Sequence, residues 1–214
     1  MARVVGVDGC RGGWVAVALP GPEVVVRATL RDVLATYPDA ACVAVDMPIG
    51  LPAGPGGRAS DRAAKQLLGR ASSRVFPAPT RACLELPTYA AARQVEPTVS
   101  AQSYALRGKI LEAEEARHAG PVVEAHPELA FLRFAGEVLV VSKRTWDGAV
   151  RRRAVLAAEG LVLPDDLGPT GGTAAVDDVL DAAACALVAR AVVDETAEQL
   201  GDPAEGVIWM PRAR

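Results

Sequence analysis

Two short apolar runs end in aspartate: residues 3–7 (RVVGV) lead into Asp8 and residues 41–45 (ACVAV) lead into Asp46. Runs this short read as strands buried on both faces, and such strands need helices to cover them, so the chain is restricted to an α/β layout. Functional groups in these sheets gather at the C-terminal ends of strands, where Asp8 and Asp46 stand. Asp177, Asp178 and Asp181 cluster in a late segment that reads as a helix. Carboxylates so placed, with no cation beside them in sequence, point to a divalent metal site.

The remaining pattern fills in around these runs. The turn at residues 9–13 leads into a strand over 14–19, ProGlyPro at 20–22 breaks the chain, and a third strand follows at 23–27. A short helix is expected at 30–37, with Asp32 near its start in a capping role, and then the strand of Asp46. Ser60 is the expected N-cap of a helix reaching residue 69, and residues 88–118 read as helical apart from a break near Pro97. Next come a strand at 121–126, an apolar segment to 134, a further strand at 138–141 and a basic helix at 145–159. A Gly- and Pro-rich loop then precedes the last helix, at 174–197, whose apolar stripe should pack on the sheet. The expected whole is one domain over residues 1–214, a mixed sheet with helices on both faces and a helical insertion at about 54–120 between the fourth and fifth strands.

Half of the residues are hydrophobic, enough for a real core. A net charge of −3 and a pI near 5.5 exclude a protein that coats nucleic acid by charge alone, so any such contact must be local. Cys10, Cys42, Cys83 and Cys185 are far apart and lack paired metal-ligand spacing, which makes them buried free thiols of a reducing cytoplasm. No targeting segment opens the chain and no apolar run is long enough for a membrane helix, so a cytoplasmic protein without a membrane partner is expected.

Five segments, in this order, carry a resemblance: VGVDGCRGGW (5–14), VAVDMPIGLP (43–52), GRASSRVFPAPTR (69–81), EAHPELAF (124–131) and DDVLDAAACA (177–186). Together they resemble a bacterial and archaeal family of predicted ribonuclease H-like nucleases. The resemblance implies a ribonuclease H-like five-stranded sheet in order 3-2-1-4-5, and a metal-dependent nuclease acting on DNA or RNA. In that arrangement Asp8 and Asp46 lie side by side with the last helix crossing their C-terminal ends. Residues three and four apart on a helix share a face, so Asp178 and Asp177 each reach Asp181. The implied metal ligands are Asp8, Asp46, Asp178 and Asp181, holding Mg²⁺ or Mn²⁺ against a phosphodiester. Asp177 is the expected helix cap. Ribonuclease H sites add a glutamate on the first helix, where this chain offers only Asp32, a departure toward the resolvase-like variant with paired acids on the last helix.

Glu124 and His126 join Asp8, Asp46, Asp178 and Asp181 as catalytic candidates, because they stand at the end of the fifth strand; a hydrogen-bonded structural histidine is the alternative for His126. The turn containing Arg11 offers backbone amides to a phosphate, although a tight hairpin using its glycines for positive φ explains it as well. Arg70, Ser72, Ser73, Arg74 and Arg81 suit phosphate contacts, and Lys143 and Arg144 open a local basic run that continues at Arg151, Arg152 and Arg153. Ordinary solvated charge is the competing account of both groups. Trp14, Trp146 and Trp209 are dispersed, so packing is their expected role. Two other functions stay open. One is a non-catalytic nucleotide- or nucleic-acid-binding protein that keeps the fold; the other is phosphoryl transfer from ATP, for which one copy of the fold is small.

Overall fold

A computed structural model describes residues 1–213. Strand β1 (Val4–Cys10) turns through Arg11 and Gly12 into β2 (Gly13–Leu19), and β3 (Glu23–Arg27) follows antiparallel. Gly12 in the turn and Gly13 at the start of β2 take φ of 86° and 148°, a region that favours glycine. The glycines thus serve the turn, and β1 runs two residues past Asp8 because its ladder with β2 continues to Cys10↔Gly13. After α1 (Leu30–Thr36), β4 (Cys42–Val45) pairs parallel with β1, and β5 (Val122–Glu124) pairs parallel with β4. The sheet order is β3-β2-β1-β4-β5, as expected. Asp32 caps α1 as read: it returns a bond to the Thr29 backbone N–H while Thr29 Oγ1 accepts from Asp32 N.

Helices α2 (Ala59–Leu68), α3 (Arg81–Leu84), α4 (Tyr89–Val95), α5 (Ala101–Ala105) and α6 (Arg107–Ala116), with a 3₁₀ segment at Gly69–Arg74, lie between β4 and β5. Ser60 is not the cap of α2 but a buried residue of its first turn; the helix starts at Ala59 because Asp61 reaches back to Arg58 N at 2.9 Å. Strand β5 ends at Glu124, short of the expected residue 126, and Pro127 opens α7 (Pro127–Ala135), as its fixed φ suits a first helical position.

Residues 138–141 form no strand. Their carbonyls are taken by a side chain instead, with Arg74 donating to Leu139 O at 2.8 Å and Val140 O at 3.2 Å. Helix α8 (Trp146–Ala158) follows with Thr145 as its N-cap. The next loop contains the short helix α9 (Gly168–Gly171) and leads to α10 (Val176–Val193). That helix stops short of residue 197, after which Glu195 takes φ 56° and an unforeseen hairpin forms, β6 (Ala197–Asp202) and β7 (Gly206–Pro211). Its β7 bridges Trp209 to Ala125, covering the open edge beyond β5.

The side-chain alternation of β1 sets the architecture. Val4, Gly6, Asp8 and Cys10 face α10, while Val5 and Val7 face α1 and α6. Gly6 lies under α10 so closely that a Cβ there would sit 1.9 Å from Ala186 N and 2.0 Å from Ala182 O. The small residues Ala182, Ala183, Cys185 and Ala186 complete this contact, and all are buried. Among the described residues no helix is long and apolar enough to cross a membrane, and the four cysteines are buried and free.

Candidate functional site

Asp8 and Asp46 come together because β1 and β4 run parallel in register up to Val7↔Val45, so the aspartates are the next residue on each chain. Asp46 N donates to Val7 O at 2.9 Å, which extends the ladder one step and pins Asp46. Both side chains share the face of Gly6 and Ala44, toward α10. With Ala182 and Ala186 seated over Gly6, Asp181 falls over Asp8 and Asp46. Ligand oxygens of Asp8, Asp46 and Asp181 all lie within 4.8 Å of one another.

Three carboxylates this close repel by about 3 kcal/mol per pair at an effective dielectric of about 20. Asp8 and Asp181 are buried and Asp46 partly so. Burial, then Asp46 and Asp181, hold the Asp8 carboxyl well above the usual carboxylate range. Burial raises Asp46 to about 7 against the attraction of Lys143, and raises Asp181 to about 7 in the same way. The Lys143 ammonium donates to Asp181 Oδ2, which keeps the lysine charged despite its own burial. Asp181 Oδ1 is buried with no hydrogen-bond partner among the described residues. A hard cation with oxygen ligands fits this donor set and would use the orphaned oxygen.

The acids stand in the wall of a cavity of about 600 Å³. Of the residues singled out in the sequence, Asp8, Asp46, Ser73, Arg74, Glu124, His126, Lys143, Arg144, Asp178 and Asp181 line it. Asp178 is half-buried, one turn before Asp181, and its carboxyl is raised by burial and by Asp177. Asp177 makes no capping bond; its Oδ2 accepts from Arg144 Nε at 3.2 Å, and α10 has no side-chain cap. Arg11 sits exposed on the β1–β2 turn, while Arg70, Ser72 and Arg81 lie outside the cavity, Arg81 facing Glu85 at 3.6 Å.

Glu124 and Arg74 touch the cavity but are already committed. Glu124 pairs with Val45, so it points to the sheet face opposite Asp46 and meets Arg58, a residue sequence reasoning passed over. Arg58 Nη1 and Nη2 donate to Glu124 at 2.6 and 2.7 Å, and Nη2 also donates to Asp61 at 2.7 Å. Burial works against the charge of Arg58, but Glu124 and Asp61 outweigh it. Arg58 also holds Ile49 O at 2.9 Å while Glu124 accepts from Ile49 N at 2.7 Å, so the pair clamps the loop that leaves Asp46. The i,i+3 spacing of Arg58 and Asp61 at a helix start was the available signal.

Arg58→Met should cost about 3–5 kcal/mol at pH 7, because it strands two buried carboxylates. Glu124, whose carboxyl burial already pushes up, then gains a higher folded-state pKa, so the loss shrinks as pH falls. Urea denaturation at pH 7 and pH 5 reads this; an equal loss at both would rule out stranded charge as the cause.

His126 caps no amide and precedes α7; burial lowers its pKa and keeps the ring neutral, with Nδ1 lacking a partner among the described residues. The run of basic residues does not form one patch. Arg152 is fully buried on Glu128 at 2.8 Å, beneath Arg74, which holds the same carboxylate at 2.6 Å. Arg151 and Arg153 are exposed.

No curated protein and no solved structure matches this chain. One family model, described as "Protein of unknown function (DUF429)", matches residues 6–206, a span that takes in β1 from Gly6 onward, β4, the helices between β4 and β5, and all of α10. The chain belongs to the DUF429 family.

Proposed function

We propose that this chain is a divalent-metal-dependent nuclease of ribonuclease H-like descent, hydrolysing phosphodiester bonds in DNA or RNA with Mg²⁺ or Mn²⁺. The observation that carries the reading is the triad Asp8, Asp46 and Asp181, three converging carboxylates with one buried oxygen unpartnered. Support also comes from the strand order 3-2-1-4-5, with acids at the ends of the central parallel pair and on the helix packed across it. Such folds host unrelated activities, so the argument rests on the site. A bound cation would supply Lewis-acid stabilisation and activate water. The chain's own residues do the rest: Asp8, Asp46 and Asp181 hold the charge, and Asp178 adds a fourth carboxylate one turn away. Lys143 stays charged beside them and is placed to donate to a phosphate bound at the acids. Asp32 is spent on its cap and exposed, so no acid of α1 completes the set.

The Lys143–Asp181 pair also favours a second reading, since a built-in ammonium offsets part of the buried negative charge without any metal. On that reading the protein binds a nucleotide or nucleic acid and turns nothing over.

One assay separates the two. Parent protein and Asp8→Asn are incubated with single-stranded and structured DNA and RNA in Mn²⁺ and in chelator. Metal-dependent cleavage that falls about 100-fold or more in the variant is the expected result. Binding without product, or cleavage unchanged in Asp8→Asn, would discard the nuclease assignment.

A further inference from the structure

Trp146 was expected to pack, yet its side chain is 82% exposed at the first position of α8. A tryptophan normally buries most of its large apolar surface, so one left in water on an ordered turn is a contact surface awaiting a partner. Its surroundings are built rather than loose. Thr145 Oγ1 donates to Ser142 O at 2.8 Å and accepts from Gly148 N at 3.2 Å, so the turn closes on itself. Gly148 packs against that carbonyl so tightly that a Cβ would lie 1.9 Å from it. Buried Arg152 donates to Val141 O at 3.1 Å and anchors the same loop from below. The indole therefore stands on a rigid mount.

That mount carries Lys143 and Arg144, both in the wall of the acid cavity, three and two residues before Trp146. Arg144 is itself 82% exposed and holds Asp177 only at its Nε, leaving its terminal nitrogens to solvent. Val150, one turn on and 45% exposed, extends the apolar face, and Arg151 and Arg153 flank it. An aromatic face beside exposed cations, Arg144 with its terminal nitrogens in solvent among them, leads to a site for phosphate chemistry and has the composition of a single-strand nucleic-acid surface: bases stack and the backbone follows the charges. A duplex does not satisfy it, because its base faces are already stacked on one another.

We propose that Trp146 is a stacking platform for an unpaired base, and that the strand's phosphates pass Arg144 and Lys143 toward Asp8, Asp46 and Asp181. This deepens the nuclease reading by naming single-stranded nucleic acid as the substrate class, and it rests on that reading for the direction of the strand. Binding does not require turnover, so the two can fail separately.

The test measures anisotropy of a labelled 20-nucleotide oligothymidine, the same length of oligouridine, and a 20-base-pair duplex. Parent, Trp146→Ala and Trp146→Phe are compared in chelator at low salt, where nothing is cut. Trp146→Ala should bind the single strands about 5- to 150-fold more weakly, the loss of one stacked base. Trp146→Phe should keep most of the affinity, and duplex binding should be the same in all three. Added oligothymidine should quench tryptophan emission in the parent and much less in Trp146→Ala, because Trp14 is fully buried and Trp209 is half-buried in β7. The proposal is overturned by unchanged single-strand affinity in Trp146→Ala, by an equal loss on duplex, by no binding of the parent to single strands, or by a variant that loses only self-association. Failure of metal-dependent cleavage with these binding results intact would remove the nuclease reading and leave the platform standing.

Discussion

Asp181→Asn should bind Mn²⁺ at least about 100-fold more weakly than the parent, exceeding the effect of losing a residue that merely supports a ligand. In metal-free buffer the same substitution should leave the fold as stable at pH 8, or more so. The reason is the sign of the linkage. Asp181 has a folded-state pKa of about 7, above its ordinary value of 3.8, so folding favours its protonated form. Its contribution is complete below pH 4 and is lost as pH rises through 7, leaving a repulsive buried carboxylate at pH 8. Asparagine removes that repulsion, and Lys143 keeps the carboxyl groups of Asp46 and Asp8 beside it. The advantage of the variant should therefore be present at pH 8 and vanish by pH 5. Asp177→Asn, which loses only an exposed pair with Arg144, should bind Mn²⁺ as the parent does. Calorimetric titration and urea denaturation at both pH values measure these outcomes. Equal Mn²⁺ affinity in Asp181→Asn and parent would remove Asp181 from the ligand set, and a variant weaker at pH 8 than at pH 5, relative to parent, would show that the ion pair with Lys143 outweighs the repulsion.

Gly6→Ala should cost this chain a large part of its stability. The new Cβ would overlap the backbone of α10 at Ala182 and Ala186, which cannot rotate away as a side chain can. Overpacking a core costs about 1–3 kcal/mol where neighbours adjust. Here the helix itself must lift from β1, exposing the buried alanines it brings to the sheet, so a loss above about 3 kcal/mol is expected. The geometry of the acids goes with it, because the seat of Ala182 on Gly6 is what carries Asp181 to Asp8. Thermal melts and urea denaturation of purified Gly6→Ala read the loss, with Mn²⁺ affinity falling in the same protein. A variant within 1 kcal/mol of the parent would mean that α10 has room to move. The contrast with Gly12, where a Cβ meets nothing, separates glycine kept for close approach from glycine kept for its φ of 86°.

The differences between expectation and structure have a common origin. Residues 138–141 have the apolar composition of a strand, but side chains satisfy their carbonyls, Arg74 those of Leu139 and Val140 and Arg152 that of Val141. Helix α10 ends at Val193 because the chain turns there to begin the hairpin of β6 and β7, whose turn at residues 203–205 starts with Pro203 and lies between Asp202 and Gly206, residue types that favour turns. Arg152 and Arg153 are neighbours in sequence and opposite in fate, one buried on Glu128 and one exposed. A helix turns 100° per residue, so a run of like charge along it cannot stay on one face.

By itself the sequence determined what depends on short-range pattern: apolar runs of strand length, a glycine turn, the Thr29–Asp32 cap, and the placing of Asp8 and Asp46 just where two buried strands give out. These follow from backbone sterics and from burying alternate or successive side chains, which neighbours in sequence already specify. Only the tertiary structure decided which acids share a site. Glu124 carries a carboxyl group like Asp46 and ends the adjacent strand, but pairing in register with Val45 turns it to the other face and into the grip of Arg58. Asp177 and Asp181 lie on the same helix, and the seat of α10 on Gly6 brings only Asp181 into the triad. Which carboxylates converge is set by strand register and helix docking, both fixed by contacts between residues far apart in the chain.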